Sequence, residues 1–367
     1  MAFGMLFVVA SSASAQPFGE HMIYRKGSVE LWEFRNVLDG GKGYFAKAQP
    51  PGPGPFPVLV LVNPYAVFSE DKDWSAEAGR GYRLDRSLPQ SARLLKCPIT
   101  RDDPHGDCKI FVEGPDMSDV AGLGDVFAER ARGGESLAAW ALAHGSAVVI
   151  PFGRFYKGRP ALTQIFDVAQ TIYMMKTSRM MAPSINPQFV CAAGQSQGGQ
   201  LVVHAIALLG SALGKNFSIN CAVTVGAWVD GREMYHYYND YLPTVQPEPL
   251  RSISQAFSRP YLNRMARSWG PNPDSASWDA ITTETVAANW PQVRLLLIAG
   301  TDDMMVPVQQ SIDLHDALKS TGLVSLKVYE KGPPKFRELH AQAAGHGVLG
   351  PDLGAVIRNF ITKAMSK

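Results

Sequence analysis

Little in this sequence points to a charged partner. Across 367 residues, 35 lysines and arginines face 33 aspartates and glutamates, a net charge of +2. That excess is too small to suggest nucleic acid or an anionic membrane, and neither is expected as a partner. Cysteine is scarce, with four in the chain, and no cysteine–histidine spacing has the form of a zinc site. A glycine-rich phosphate loop is missing as well, which leaves no nucleotide cradle. Internal repeats and low-complexity tracts are also missing, so no repeat array organises the chain. Apolar runs are short. The first, residues 2–10, is too short to span a bilayer. It is followed by Ala13-Ser14-Ala15, the small-x-small pattern of a signal-peptidase site, although a basic stretch ahead of it is lacking. Residues 1–15 are therefore expected to be a signal peptide and Gln16 the mature N-terminus. A buried N-terminal strand is the alternative. The expectation places the protein in a secreted or periplasmic setting, with no integral membrane segment after signal removal.

What is present suits one large domain. Hydrophobic residues make up 46% and charged residues 19%, enough for a sizeable core, and no second domain with its own core is evident. Strand and helix patterns alternate. Residues 28–35 and 43–48 read as an antiparallel pair turning at Asp39-Gly40-Gly41. Residues 56–62, 147–151, 189–193, 219–228, 293–299 and 326–330 read as further strands. Helices are expected over 135–144, 163–176, 200–209, 306–320 and 352–365. Such alternation implies an α/β fold, a mainly parallel sheet with helices on both faces. Two segments, 66–134 and 230–290, exceed ordinary connections and are expected to be insertions forming a lid or cap over one domain spanning 16–367.

Export would make the cysteines disulfide candidates. Cys97 and Cys108 bracket a short polar stretch that a bridge would close. Cys191 and Cys221 fall in two strands, where a bridge and two buried thiols are alternatives. Four cysteines allow three complete pairings.

The motif with the most chemistry is Gly194-Gln195-Ser196-Gln197-Gly198-Gly199. An apolar strand run precedes it and a helical run follows. A serine on so sharp a turn is lifted out of the sheet and needs small neighbours. The helix N-terminus also aims free N–H groups at an oxygen that becomes negative in acyl transfer.

Strand, Gly194-x-Ser196-x-Gly198, helix, then an acid and a histidine: this order resembles the α/β-hydrolase superfamily. The resemblance runs from about residue 28 to the end, apart from the two insertions. It implies a serine hydrolase without cofactor or metal. Gly300-Thr301-Asp302-Asp303-Met304-Met305-Val306-Pro307 is similar to the superfamily's Gly-x-x-Asp-x-x-Val-Pro pattern and selects Asp303 as the acid, with Asp302 and Asp230 as rivals. Ala343-Ala344-Gly345-His346-Gly347 stands before the last helix and selects His346, with His340 as its rival and His204 as a packed histidine. In that arrangement His346 takes the Ser196 proton and Asp303 orients the imidazole. The oxyanion would be held by the backbone N–H of Gln197 and a second donor after residues 56–62. There Asn63-Pro64-Tyr65 departs from the superfamily's usual His-Gly-x. Because Pro64 has no N–H, Tyr65 is the expected donor and Ala66 the next candidate.

The expected substrate is a small-molecule or polymer carboxylic ester. Tyr235, Tyr237, Tyr238, Tyr241, Phe257, Tyr261, Trp269 and Trp278 of the second insertion either line an acyl site or pack the insertion itself. A peptidase of the same fold and a catalytically inactive binding protein are the alternatives.

Overall fold

Continuous apolar runs become the central strands. In the computed structural model, residues 18–26, 29–62, 137–152, 161–244, 259–330 and 352–366 are described. Strands β1 (His21–Lys26), β2 (Val29–Arg35), β3 (Lys42–Ala48), β4 (Phe56–Val62), β5 (Ala147–Phe152), β6 (Ile185–Gln195), β7 (Cys221–Val225), β8 (Arg294–Gly300) and β9 (Val324–Tyr329) form one nine-stranded sheet. Its order is β1-β2-β3-β5-β4-β6-β7-β8-β9. The first three pairings, β1/β2, β2/β3 and β3/β5, are antiparallel, and all those from β5/β4 onward are parallel.

Side-chain alternation splits the core in two. Val58, Val60 and Val62 of β4 face one apolar cluster, and Leu59 and Leu61 face the other. The first cluster holds α2 (Ala161–Thr177), α3 (Gln197–Leu213), α6 (Thr283–Ala288) and α7 (Gln309–Leu318). The second holds α1 (Leu137–Ala143) and α8 (Leu353–Met365). Helix α2 fits its face because Ile165, Val168, Ala169 and Ile172 recur at helical spacing, and all four are buried.

Several element boundaries differ from the sequence expectation. Strand β1 is additional; its HMIYRK sequence carries little apolar pattern, as suits an edge strand whose His21 and Met22 are exposed. Strand β6 starts earlier than residue 189. Its pairing with β4 slips between Phe56↔Ile185 and Val58↔Val190, and Pro187 sits in that irregular stretch, where no ladder donor is required. Helix α7 starts later than 306. Both Met305 and Val306 give their N–H to the Asp303 side chain, at 2.9 Å each, so the helix begins only beyond Pro307.

Residues 230–290 contain α4 (Gly231–His236), a π-helical turn (Tyr237–Tyr241), α5 (Arg259–Trp269), a 3-10 turn (Ala276–Ile281) and α6. Trp278, Trp269 and Tyr238 are buried in the same cluster as α3. Packing accounts for these three aromatics. Tyr235 and Tyr237 are half-buried and Tyr241 is exposed. Phe257 and the side chain of Tyr261 lie outside the described residues, as does the whole of segment 66–134, Cys97 and Cys108 included.

Between the two alternatives for Cys191 and Cys221, the structure has the bridge. They are register partners on β6 and β7, 4.6 Å apart at Cα, and form a disulfide. Closing 30 residues of separation stabilises the fold by about 3–4 kcal/mol on a chain-entropy account. The Cys191→Ala/Cys221→Ala protein should therefore unfold at clearly lower urea than the oxidised parent. Equal midpoints with equal m-values would remove this role.

Candidate active site

Ser196 follows directly on β6 and opens α3, with φ 53° and ψ −126°. It is the only non-glycine residue with positive φ among those described. Such a conformation costs on the order of 1–3 kcal/mol and persists only when its surroundings enforce it. Here the enforcement is steric and polar. A Cβ on Gly194 would lie 2.3 Å from the carbonyl carbon of Gly198, and one on Gly199 would lie 2.6 Å from Ala227 Cβ. The first turn of α3 can fold back so closely on the strand only because both positions are glycine. The Ser196 N–H donates to Val225 O at 2.8 Å, Gly226 N–H to Ile298 O at 2.7 Å, and Thr301 N–H to Tyr329 O at 3.0 Å. These bonds tie the carboxyl ends of β6, β7, β8 and β9 together, the edge where open α/β sheets hold ligands. The half-buried Ser196 does not use its hydroxyl to cap α3.

Gln197 is the first residue of α3, and first-turn N–H groups have no acceptor within their own helix. Its buried side chain donates from Nε2 to Gln164 Oε1 of α2 at 3.3 Å, which holds the start of α3 against α2. Beside it, Val62, Phe152, Gln164, Asp167 and Leu201 line a small crevice beyond the ends of β4 and β5. Tyr65 and Ala66, the expected further oxyanion donors, lie outside the described residues.

The three acid candidates separate by environment. Asp303 is buried in the turn after β8, and its Oδ1 accepts from Met305 N and Val306 N. Asp302, its neighbour, is half-buried, and its Oδ1 has no hydrogen-bond partner among the described residues. Asp230 has a structural task. One oxygen accepts from Glu233 N at 2.9 Å to cap α4, and the other accepts from Thr283 N at 3.0 Å at the start of α6. Burial raises its pKa above the ordinary carboxylate value. A carboxylate occupied on both oxygens by fixed backbone donors is poorly placed to orient an imidazole. Strand β7 separates β6 from β8, so the turns bearing Ser196 and Asp303 leave the sheet about 10 Å apart, a gap one imidazole and its hydrogen bonds can span. His346 and His340 lie outside the described residues. His204 is packed within α3, with Nδ1 2.9 Å from Gln200 O and its ring against Trp228. Burial lowers its pKa to about 4, so it is neutral near pH 7.

Sequence reasoning missed the polar side chains that hold these groups. Gln310 of α7 accepts from Val229 N and Asp230 N through Oε1, at 2.8 and 2.7 Å, and donates to Glu233 Oε2 at 2.7 Å. Tyr237 and Tyr238 donate their hydroxyls to Met304 O and Met305 O. Glutamines and tyrosines of this kind carry no spacing signal, because their partners lie tens of residues away.

No protein-family model matches the chain, and no curated protein sequence matches it. Solved structures do match. Acetyl xylan esterase 1 from Thermoanaerobacterium sp. superposes with a TM-score of 0.52 at 10% identity, covering 95% of this chain and 88% of that one. An acylaminoacyl peptidase from Pyrococcus horikoshii gives a TM-score of 0.53 at 12% identity, covering 94% of this chain and 43% of its own. A dipeptidyl aminopeptidase IV candidate from Bacteroides ovatus gives 0.52 at 11% identity, covering 93% of this chain and 36% of that one. The chain thus spans less than half the length of the two peptidases. With its nine-stranded sheet order, its serine on the strand-to-helix turn and these neighbours, the chain has the α/β-hydrolase fold.

Proposed function

We propose that the protein is a serine hydrolase that cleaves carboxylic esters of a small molecule or a polymer through an acyl-enzyme on Ser196. The observation that carries this reading is the strained backbone of Ser196 at the carboxyl edge of the sheet. Backbone strain of this kind clusters at sites where it serves the chemistry, here by lifting the serine out of the sheet. In the first half-reaction His346 takes the Ser196 proton as Oγ attacks the acyl carbon. The N–H groups of Gln197 and Tyr65 hold the oxyanion, and His346 then protonates the leaving alkoxide. Water repeats the sequence on the acyl-enzyme and releases the acid. Asp303 keeps the imidazole in the right tautomer and stabilises its charged form.

The second reading is a peptidase of the same fold, favoured by the peptidases among the structural neighbours. An amide leaves less readily than an alkoxide and needs a defined seat for the chain end, so esters are the first substrates to try. The buried Cys191–Cys221 bridge supports an oxidising compartment, in keeping with a secreted or periplasmic protein.

The test is covalent. A fluorophosphonate should label the purified protein once, and peptide mapping should place the adduct on Ser196. Acyl esters of graded chain length should then turn over faster than peptide anilides. Failure to label at Ser196 would leave the inactive binding protein as the better reading, and preference for anilides would select the peptidase.

A further inference from the structure

The segment leaving β7 braces the turn that follows β8. Its π-helical turn places Tyr237 and Tyr238 side by side, and their hydroxyls donate to the carbonyls of Met304 and Met305. Those carbonyls belong to the turn whose N–H groups, from Met305 and Val306, hold Asp303 Oδ1 at 2.9 Å each. An α-helical turn of this sequence would swing adjacent side chains about 100° apart. The wider π turn turns them less, so two neighbouring phenols can reach two successive carbonyls. The same segment is pinned a second time through Gln310, which accepts from Val229 N and Asp230 N and donates to Glu233. Tyr238 is buried, and Tyr237 lies close enough to the Asp303 carboxylate that its hydroxyl is held well above the usual phenol pKa, by burial first and by that charge second. Near neutral pH this phenol is therefore protonated and remains a donor.

We infer that Tyr237 and Tyr238 are positioning residues for the catalytic acid, a phenol clamp that fixes the Asp303 turn so that its carboxylate meets the imidazole. This rests on the serine-hydrolase reading. Neither phenol touches the reacting atoms. They act on the carbonyls of a four-residue turn, and those peptides in turn aim the carboxylate. Loss of the hydroxyls alone would leave the rings packed and the turn present but free to shift, and a small displacement of an orienting group is enough to slow the chemical step.

The experiment is a double-mutant cycle in the full chain, with p-nitrophenyl acetate turnover and the rate of fluorophosphonate labelling as readouts. Tyr237→Phe/Tyr238→Phe should lower kcat and the labelling rate about 10-fold, the scale of one or two net hydrogen bonds, with KM little changed. In an Asp303→Asn background the same pair of substitutions should cost nothing further, because there is no carboxylate left to aim. Far-ultraviolet circular dichroism and the thermal midpoint would check that the Phe variants are folded. An equal loss in both backgrounds, or a loss confined to KM or to bulky acyl groups, would overturn the clamp and make these tyrosines substrate-lining or merely structural. No loss in either background would overturn it too. If Ser196→Ala still turned over ester, the hydrolase reading itself would fall, and that outcome is read from a separate variant.

Discussion

Replacing His346 with alanine is expected to lower kcat/KM nearly as far as replacing Ser196, by about 10⁶-fold, because in the proposed mechanism nucleophile and base act as one unit and the second loss adds little to the first. Asp303→Asn should cost less, about 10⁴-fold, since an amide in that place favours the wrong imidazole tautomer but leaves the base present. The neighbouring acids serve as controls with different expected outcomes. Asp302→Asn should change turnover little, since the Gly-x-x-Asp register selects Asp303 and no described residue donates to Asp302 Oδ1. Asp230→Asn should act on stability, because its two oxygens cap α4 and receive Thr283 N, and its effect belongs in the thermal midpoint. Steady-state kinetics on one activated ester, with all five variants checked for folding, separates these cases. Were Asp302 the more sensitive position, the acid register would be off by one residue. Were Asp230 the one that removed kcat, the acid would come from the strand before.

How much of this was legible beforehand depended on whether the signal was local. The elbow was, because strand, small residues and helix follow one another within a few positions around Ser196, and the same compactness marks the turn after β8. The continuous apolar run of residues 56–62 predicted a strand buried on both faces, and that strand is β4. What could not be read depends on long-range partners. The pairing of Cys191 with Cys221 needed β6 and β7 to be in register. The aromatics of 230–290 could line a site or fill the core. Only packing against α3 decides for Trp278, Trp269 and Tyr238. The roles of Gln164, Gln310, Tyr237 and Tyr238 had no trace in sequence, since each is an ordinary residue until its distant partner is in place. Strand β1 escaped for a related reason. An edge strand gains its order from one neighbour's backbone and needs little apolar pattern of its own.

Gly194→Ala is expected to be severely damaging to the fold, and the reason lies in geometry rather than backbone preference. The new Cβ would sit 2.3 Å from both the carbonyl carbon and the oxygen of Gly198 and 2.6 Å from Gly199 N, all backbone atoms of the first turn of α3. That turn has nowhere to retreat. Gly199 is itself wedged against Ala227 and Thr224 at the exit of β7, so moving α3 outward breaks its packing along the sheet. Overpacking of a rigid core costs about 1–3 kcal/mol where side chains can adjust, and more where only backbone is available to move. A loss above about 3 kcal/mol is therefore expected for Gly194→Ala, together with loss of labelling at Ser196. Gly214→Ala is the matched control. Gly214 has φ +84° and ψ 167° with nothing within 4 Å of its Cβ position, so only the backbone penalty of about 1–3 kcal/mol should appear, with labelling intact. Urea unfolding of both variants measures the difference. If Gly194→Ala were no worse than Gly214→Ala, the close approach of α3 to β6 would be wrong, and the geometry that lifts Ser196 out of the sheet would be wrong with it.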